Sequence, residues 1–233
     1  MERASPVVAL HGLAVGPRPQ VVLIEAIDWE VRPGTVVGLV GAIGSGKSSL
    51  LRTLGLLQPP LGGTLKFLGR TTDAASPVVL ADLRRRLGLA LADQPWLRLA
   101  SVRENLALPL RVHDTASPEI DRVVGEFLDW LGLGTRASLP VGDLSDGERR
   151  LLRVARAAIT RPDLLLADEP FAGLDAAATR RLQRLFQELA RLGTAVVVTA
   201  AEAAVVNGLV AETWKLDDGR LWPADAAALR LVG

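Results

Sequence analysis

The chain contains no cysteine and no tyrosine, and among its 233 residues there are one methionine and two histidines. Without cysteine, a disulfide framework and a thiolate zinc site are excluded, which fits a reducing compartment. No run approaches the roughly 18 apolar residues that a membrane-spanning helix needs. The 27 Lys and Arg residues almost balance the 26 Asp and Glu residues, so bulk attraction to nucleic acid or to an acidic membrane is not indicated. We therefore expect a chain that is soluble or reaches a membrane through a partner.

What the sequence does contain is the material for one large α/β domain. Apolar residues make up 49% of the chain, which is enough for a complete core at this length. Short β-branched runs bounded by Gly and Pro fill the first third and predict strands. The later runs DLLLADEP and TAVVVTA are strand-like, with helical patterns between and after them, which is typical of a mostly parallel sheet covered by helices. The stretch from about 96 to 140 has no strand-like run and is predicted to be helical and turn-rich.

Capping patterns predict three helix starts in or just after this helical stretch. SVRE places Ser101 as an N-cap with Glu104 three residues on, and SPEI places Pro118 at the first helical position. SDGE starts a third helix, in which Ser145 is the cap and Glu148 reaches back to it.

The segment GAIGSGKS fits the phosphate-loop pattern GxxxxGK[ST], after a predicted strand and before a plausible helix. Glycines let the backbone fold tightly so that its N–H groups point at phosphate oxygens, and the helix N-terminus adds partial positive charge. Lys47 would reach the terminal phosphates, and the Ser48 hydroxyl would ligate Mg²⁺. The alternative, a Gly-rich turn with a chance lysine, does not explain this register. The predicted nucleotide contacts are Gly41, Ala42, Ile43, Gly44, Ser45, Gly46, Lys47, Ser48 and Ser49.

A second candidate site follows the run DLLLADEP. A buried strand that ends in carboxylates would deliver them to the carboxyl edge of the sheet, where ligands of open α/β sheets bind. Asp168 would hold Mg²⁺ through water, and Glu169 would accept a proton from the attacking water. Alone, an acidic turn closed by Pro170 would be the better interpretation, but the phosphate loop favours the catalytic one.

These motifs, in this order, resemble those of the ATP-binding subunit of an ABC (ATP-binding cassette) transporter over nearly the whole chain. ADQPWL places Gln94 at the family's glutamine, which touches Mg²⁺ and senses the transmembrane partner. LSDGE at 144–148 is similar to the signature motif LSGGQ or LSGGE. AGLD places Asp175 at the acid of the loop through which two subunits communicate. Among these residues, the resemblance assigns catalytic roles to Glu169, Lys47 and Gln94 and metal contacts to Ser48, Gln94 and Asp168.

The resemblance implies the α/β fold of an ABC-type P-loop NTPase, with a mostly parallel sheet, an antiparallel β part and an inserted helical subdomain. One domain would span 1–233, with the nucleotide-binding core at about 1–95 and 163–233 and the helical subdomain at about 96–162. In this family two subunits face head to tail, so that ATP lies between the phosphate loop of one and the signature of the other. Ser145, Gly147, Glu148 and Asp175 would then contact the nucleotide held by the other copy.

The implied cofactors are ATP and Mg²⁺, and the implied partners are a second ATP-binding subunit, in the simplest case a homodimer, and transmembrane permease subunits. The chain would lie peripherally at the cytoplasmic face of the inner membrane, and no nucleic acid is expected. The physical chemistry of the signature agrees, because a serine hydroxyl at a capped helix N-terminus forms a second anion site.

The chain departs from the family pattern at three positions. Ala200 stands where members usually carry a histidine that contacts the γ-phosphate, and losing such a hydrogen bond lowers the rate about ten- to a hundredfold. Val15 stands at the aromatic that stacks on adenine, so weaker base contact is expected. Asp146 replaces a signature glycine and is expected to face solvent, where its charge costs little. The two histidines, His11 and His113, are interpreted as structural.

We therefore expect a working but slow ATPase that couples ATP-driven dimer closure to a membrane partner. The alternatives are a degenerate regulatory subunit with little hydrolysis and, from another class, a non-transport ABC ATPase of DNA repair or translation. SVRENLALPL and LLADEP resemble lipoprotein-release and cell-division ATPases, and DEPFAGLD resembles phospholipid-transport subunits, which implies a lipid, lipoprotein or cell-envelope cargo. A groove near Gln94 is expected to receive the partner on the apolar surface of Trp96, Leu97, Leu99 and Val102.

Overall fold

Residues 5–73 and 75–224 are described in the computed structural model of this chain. Their strands are β1 Val8–Val15, β2 Ile24–Val31, β3 Val36–Val40, β4 Gly62–Phe67, β5 Arg70–Thr71, β6 Leu87–Ala90, β7 Leu164–Ala167, β8 Ala195–Ala200, β9 Glu212–Asp217 and β10 Arg220–Pro223. Their helices are α1 Lys47–Leu54, α2 Pro77–Arg85, α3 Val102–Val112, α4 Ser117–Leu131, α5 Asp146–Ala158 and α6 Ala176–Arg191. Within these ranges, a helix with the length and apolarity to cross a membrane is not found.

The larger sheet has the strand order β10-β9-β3-β8-β7-β6. Strands β9, β3, β8, β7 and β6 run parallel, and β10 pairs antiparallel at the edge. Every residue of β3, β7 and β8 is buried, as expected for central parallel strands whose two faces are both covered. Because parallel strands end at the same edge, the segments after β3, β8 and β7 meet there. The expected mostly parallel α/β sheet is confirmed.

The smaller sheet is the predicted antiparallel β part, with the strand order β2-β1-β4-β5. Its apolar face packs with helix α1 and with one face of the larger sheet in a single buried cluster. Strand β1 contributes Val8, Leu10, Leu13 and Val15 to this cluster. Helix α1, which follows the phosphate loop, is therefore fixed between the two sheets.

The helical insertion lies between β6 and β7 and consists of α3, α4 and α5. Both predicted capping boxes are present, at Ser101 with Glu104 and at Ser145 with Glu148. The third start differs by one residue, since α4 begins at Ser117 and Pro118 is its second helical residue. Proline is tolerated there because the first-turn N–H groups have no partner within the helix.

Candidate nucleotide-binding site

The phosphate loop joins the end of β3 to the start of α1. Gly46, the N-cap of α1, has φ +105°, and a Cβ on it would approach the Ile24 side chain to 3.1 Å. A residue with a side chain would therefore be strained here. In the described chain α1 receives no side-chain cap, so its first N–H groups are open to an anion. Ile43, at the tip of the loop, is 91% exposed, whereas Ser49 is buried on α1.

Lys47 lies inside the loop with its side chain 6% exposed. Its Nζ donates to the carbonyl oxygens of Gly41 at 2.7 Å and Ala42 at 3.0 Å. The buried hydroxyl of Ser45 has no hydrogen-bond partner among the described residues. A buried hydroxyl without a partner is costly, and a phosphate oxygen would satisfy it. The loop thus offers an ammonium, a free hydroxyl and open N–H groups, which fit a phosphate chain.

Asp168 follows β7 and meets Ser48 across the sheet edge. The Ser48 Oγ donates to Asp168 Oδ2 at 2.9 Å. A hydroxyl and a carboxylate are ligands that Mg²⁺ accepts, because this ion is usually held by one or two carboxylates together with substrate phosphates. The donor set therefore fits Mg²⁺ brought in with a nucleotide.

Glu169 stands beside this pair in a backbone conformation that non-glycine residues rarely adopt, with φ +45°. Its Oε1 lies 4.0 Å from the Nζ of Lys47, and its side chain is 44% exposed. Such backbone strain persists only where the surroundings impose it. The result is a carboxylate that reaches solvent next to the lysine of the phosphate loop.

Thr199, on β8, ties both acids together and was missed by sequence reasoning. Its Oγ1 donates to Asp168 Oδ1 at 2.7 Å and accepts the Glu169 N–H at 2.8 Å. The side chain is fully buried, and β8 lies between β3 and β7, so this hydroxyl faces the point where the phosphate loop and the acids meet. The available signal was one polar residue in the otherwise apolar run AVVVTA.

Gln94 lies in the segment after β6, and its Oε1 is buried without a hydrogen-bond partner among the described residues. The structure does not bring this side chain into hydrogen-bond contact with Ser48 or Asp168 within the described chain. Gln94 instead lines a groove of about 580 Å³ between α2, β6, α3 and α5. An ion pair between Arg52 of α1 and Asp93 connects this segment to the helix of the phosphate loop. Its role at Mg²⁺ remains a proposal.

The signature residues form the start of α5. Ser145 Oγ accepts the Glu148 N–H at 3.2 Å, and a Glu148 carboxylate oxygen accepts the Ser145 N–H at 2.8 Å. Burial raises the pKa of Glu148, but the hydrogen bonds from Ser145 and the charge of Arg136 outweigh it, so that the net shift is downward. This carboxylate therefore stays ionised near neutral pH and holds the cap closed.

The cavity beside the signature, of about 540 Å³, is separate from the phosphate loop. Its described lining residues are Ala92, Asp146, Gly147, Arg149, Arg150, Arg153, Ala172 and Gly173. None of these eight belongs to residues 41–48. Asp175, at the other predicted contact, caps α6 by accepting the Ala178 N–H at 2.7 Å. Within one copy the described lining of the signature cavity and the phosphate loop are thus separate sets of residues.

Expectations about five individual side chains can be compared with the structure. Asp146 faces solvent, as expected, with 96% of its side chain exposed. The assignment of Val15 to the base-stacking position is wrong, because Val15 ends β1 with its side chain fully buried in the core and out of reach of a base. The expectation that Val102 contributes to the apolar surface is also wrong, because this side chain is fully buried in the core of the helical insertion. Leu97 and Leu99 are exposed as expected.

A small cavity of about 140 Å³ lies beside Glu169, where the family histidine would be. It is lined by Glu169, Phe171, Ala172, Thr199, Ala200, Ala201 and Val205. Ala200 ends β8, and its carbonyl accepts the Gly41 N–H at 3.3 Å. This backbone hydrogen bond places Ala200 beside the first residue of the phosphate loop.

A glycine loop closed around a buried lysine, with two acids delivered by the next strand but one of the same sheet, defines a P-loop nucleotide-binding protein. A profile of the family described as ABC transporter matches residues 24–172. The chain belongs to this family, whose ATP-binding domains bind ATP together with Mg²⁺. The fold assignment made from the motifs is confirmed.

Curated relatives include methionine import ATP-binding proteins. Those of Xanthomonas campestris and Lacticaseibacillus paracasei are 34% and 33% identical over 87% and 85% of this chain. The chain spans 61% and 57% of their lengths. Among solved structures, a dimeric bacterial ABC transporter cassette is 24% identical, with a TM-score of 0.84 over 92% of this chain and 96% of that chain. An ATP-binding subunit of an ABC transporter is 22% identical, with a TM-score of 0.85 over 97% and 95%. These structures establish the fold.

Proposed function

We propose that this chain binds and slowly hydrolyses ATP at the interface of two copies, and that closure of the pair drives a transmembrane partner. The observation that carries the proposal is the meeting of Lys47, Ser48, Asp168 and Glu169 at one edge of the sheet. Together they supply a lysine that binds phosphate, a pair that binds the metal and a carboxylate that reaches solvent. Phosphoryl transfer to water needs these three parts.

In the proposed reaction, Lys47 leaves the Gly41 and Ala42 carbonyls and donates to the terminal phosphates. Bound Mg²⁺ would neutralise charge on the phosphates, with Ser48 and Asp168 as its protein contacts. Glu169 accepts the proton of a water molecule that attacks the terminal phosphorus from the solvent side. ADP and inorganic phosphate are the products.

Pairing of two copies is supported by the separation of the phosphate loop from the signature cavity within one copy. The signature cavity is lined by three arginines and by the start of α5, which together attract an anion. A nucleotide on a second copy would supply that anion.

The test of the proposal is ATP-dependent pairing in solution. With Mg²⁺ and ATP, the chain is expected to shift from monomer to dimer in analytical ultracentrifugation. Lys47→Ala should lose at least about tenfold in nucleotide affinity, because it removes a charge-assisted contact, and it should stay monomeric. Arg191→Ala, at the far end of α6, is the control and should behave as the unmodified chain. A chain that binds no nucleotide, or binds it and stays monomeric, would contradict the proposal.

The positioning role of Thr199 gives a prediction of its own. Thr199→Val keeps shape and burial but leaves Asp168 and the Glu169 N–H without their shared partner. We expect about a tenfold lower kcat, the usual cost of a lost buried hydrogen bond, and a higher Mg²⁺ concentration for half-maximal turnover. Thr199→Ser keeps the hydroxyl and should restore both values. Unchanged kcat and Mg²⁺ dependence in the valine variant would refute this role.

The groove lined by Gln94 is the proposed seat of the transmembrane partner. Its described lining residues include Arg84, Arg85, Arg156 and His113 and no carboxylate. The guanidinium of Arg156 stacks on Trp96, with its central carbon 4.3 Å from the ring centre. Burial lowers the pKa of Arg156 to about 10, and the neighbouring Arg153 adds to the shift. A partner segment with apolar and acidic side chains would match this groove.

A single substitution in the segment that joins Gln94 to α3 tests the partner contact. Leu99 is completely exposed, and Leu99→Asp should abolish copurification with membrane proteins encoded by adjacent genes, because a charge would be buried unpaired at the contact. ATP-dependent pairing of the isolated chain should not change. Leu192→Asp, at an exposed position at the end of α6, is the matched control and should retain the partner. Copurification of the Leu99 variant at the normal yield would exclude this surface.

The proposed cargo follows from the relatives rather than from the site. The motif resemblance implies lipids or lipoproteins, but the curated relatives reported above are methionine import proteins, and a lipid cargo has no support among them. We therefore place import of a small solute ahead of lipid transport. With this function the chain would lie on the cytoplasmic face of the inner membrane.

A further inference from the structure

The start of α5 carries a carboxylate where a phosphate of the second copy would arrive. Asp146 is the first residue of α5, between the capping residue Ser145 and Gly147. A carboxylate is favourable near a helix N-terminus because the partial charge there is positive. The same partial charge would attract a phosphate, so an unpaired Asp146 would compete with the ligand.

Arg149 pairs with this carboxylate. Its Nη2 lies 2.5 Å from Asp146 Oδ1. Its Nη1 donates to the carbonyl oxygens of Gly142, at 3.2 Å, and Leu144, both in the segment that enters α5. The planar guanidinium is therefore oriented by three acceptors, and it gives the exposed carboxylate of Asp146 a counterion within hydrogen-bond distance.

The remainder of the cavity is basic. Among the described residues that line it, Asp146 is the one carboxylate, and Arg149, Arg150 and Arg153 are cations. With Asp146 neutralised by Arg149, the charge that faces an incoming anion is positive. Without Arg149, the carboxylate would stand at the mouth of the cavity unpaired.

We propose that Arg149 is a positioning residue: by pairing with Asp146 it keeps the signature end of α5 receptive to the terminal phosphate of ATP held by a second copy. This inference rests on the proposed function, since only pairing brings a phosphate to this cavity. The Asp146–Arg149 pair takes the place of the uncharged glycine that the signature pattern has at position 146. Removal of Arg149 alone is therefore harmful, whereas removal of both charges is not.

The test is a double-mutant cycle on ATP-dependent dimerisation, measured by analytical ultracentrifugation with Glu169→Gln as the parent, so that hydrolysis does not deplete the ATP. Arg149→Ala should raise the dimer dissociation constant about tenfold, because a free carboxylate then opposes the phosphate. Asp146→Gly should not weaken dimerisation, and the double variant should return to within about threefold of the parent, because the pair carries no net charge in either. In 0.5 M NaCl, where the Debye length is about 4 Å, the charge repulsion is screened. The rise in the dimer dissociation constant caused by Arg149→Ala should therefore be smaller.

Two further variants separate charge from structure. Arg149→Gln keeps a polar side chain with an N–H donor but carries no charge, and it should lose as much dimerisation as Arg149→Ala. Arg150→Ala removes a cation from the same cavity that is not paired with Asp146, and Asp146→Gly should not rescue it. Each variant is first checked for its melting temperature and for ATP binding to its own phosphate loop.

The outcomes distinguish the inference from the proposed function. A parent that stays monomeric with ATP would overturn both. A parent that dimerises while Arg149→Ala dimerises equally well would overturn the inference alone. A double variant as weak as Arg149→Ala would also overturn it, because Arg149 would then act through the backbone carbonyls and not through Asp146.

Discussion

Glu169→Gln is expected to lower ATP turnover by roughly 10²- to 10⁴-fold, the usual contribution of a positioned general base. Glutamine keeps the size of the side chain but carries no charge and cannot accept the proton of the attacking water. The hydrogen bonds of Lys47 to the Gly41 and Ala42 carbonyls and of Ser48 to Asp168 do not involve Glu169, so ATP binding should be unchanged. Because hydrolysis no longer opens the pair, the ATP-bound dimer should accumulate.

The measurement is phosphate release by the purified dimer at saturating ATP, with the unmodified chain measured in parallel. Glu148→Gln is a matched control, since it changes a carboxylate of the capping box that has no place in proton transfer, and its effect should fall on dimerisation rather than on kcat at full occupancy. Equal rates for Glu169→Gln and the unmodified chain would remove the proposed ATPase. They would leave the rival in which the chain binds ATP and regulates a more active partner.

Ala200→His is expected to raise turnover about ten- to a hundredfold, the range of one charge-assisted hydrogen bond to a phosphate. The cavity of about 140 Å³ beside Glu169 gives the new ring a place, and the coupling of Ala200 to Gly41 puts it next to the phosphate loop. The enhancement should appear in kcat measured as phosphate release.

Ala201→His places the same ring one residue further on in the same cavity lining and should give no comparable gain. Free imidazole added to the unmodified chain should raise its rate in part if it enters this cavity of about 140 Å³. If Ala200→His and the unmodified chain turn over equally, the missing imidazole is not what slows this site.

Much of the candidate nucleotide-binding site could be predicted because its sequence patterns are local. The phosphate loop needs glycine at fixed spacing, and the run before Asp168 needs only to be apolar and short. The capping boxes at Ser101 and Ser145 depend on residues three positions apart, and both were correct. The start of α4 differed by one residue because proline fits either of the first two helical positions.

The errors concern side chains whose surroundings come from distant segments. Val15 and Val102 both lie in exposed-looking sequence, yet each is buried by strands or helices from elsewhere in the chain. Thr199 was overlooked because its two partners follow a different strand.

The sequence by itself determined the family, the phosphate loop, the paired acids and the capped signature, because each depends on residue types at short fixed spacings. The tertiary structure decided that β8 lies between β3 and β7, so that Thr199 holds both acids, and that the signature cavity stands apart from the phosphate loop. It also decided the surroundings of Gln94 and the position of the cavity beside Glu169. Strand order and side-chain surroundings depend on packing between segments that are distant in the sequence, as in the contacts of Asp168 with Ser48 and with Thr199, and no local pattern encodes them.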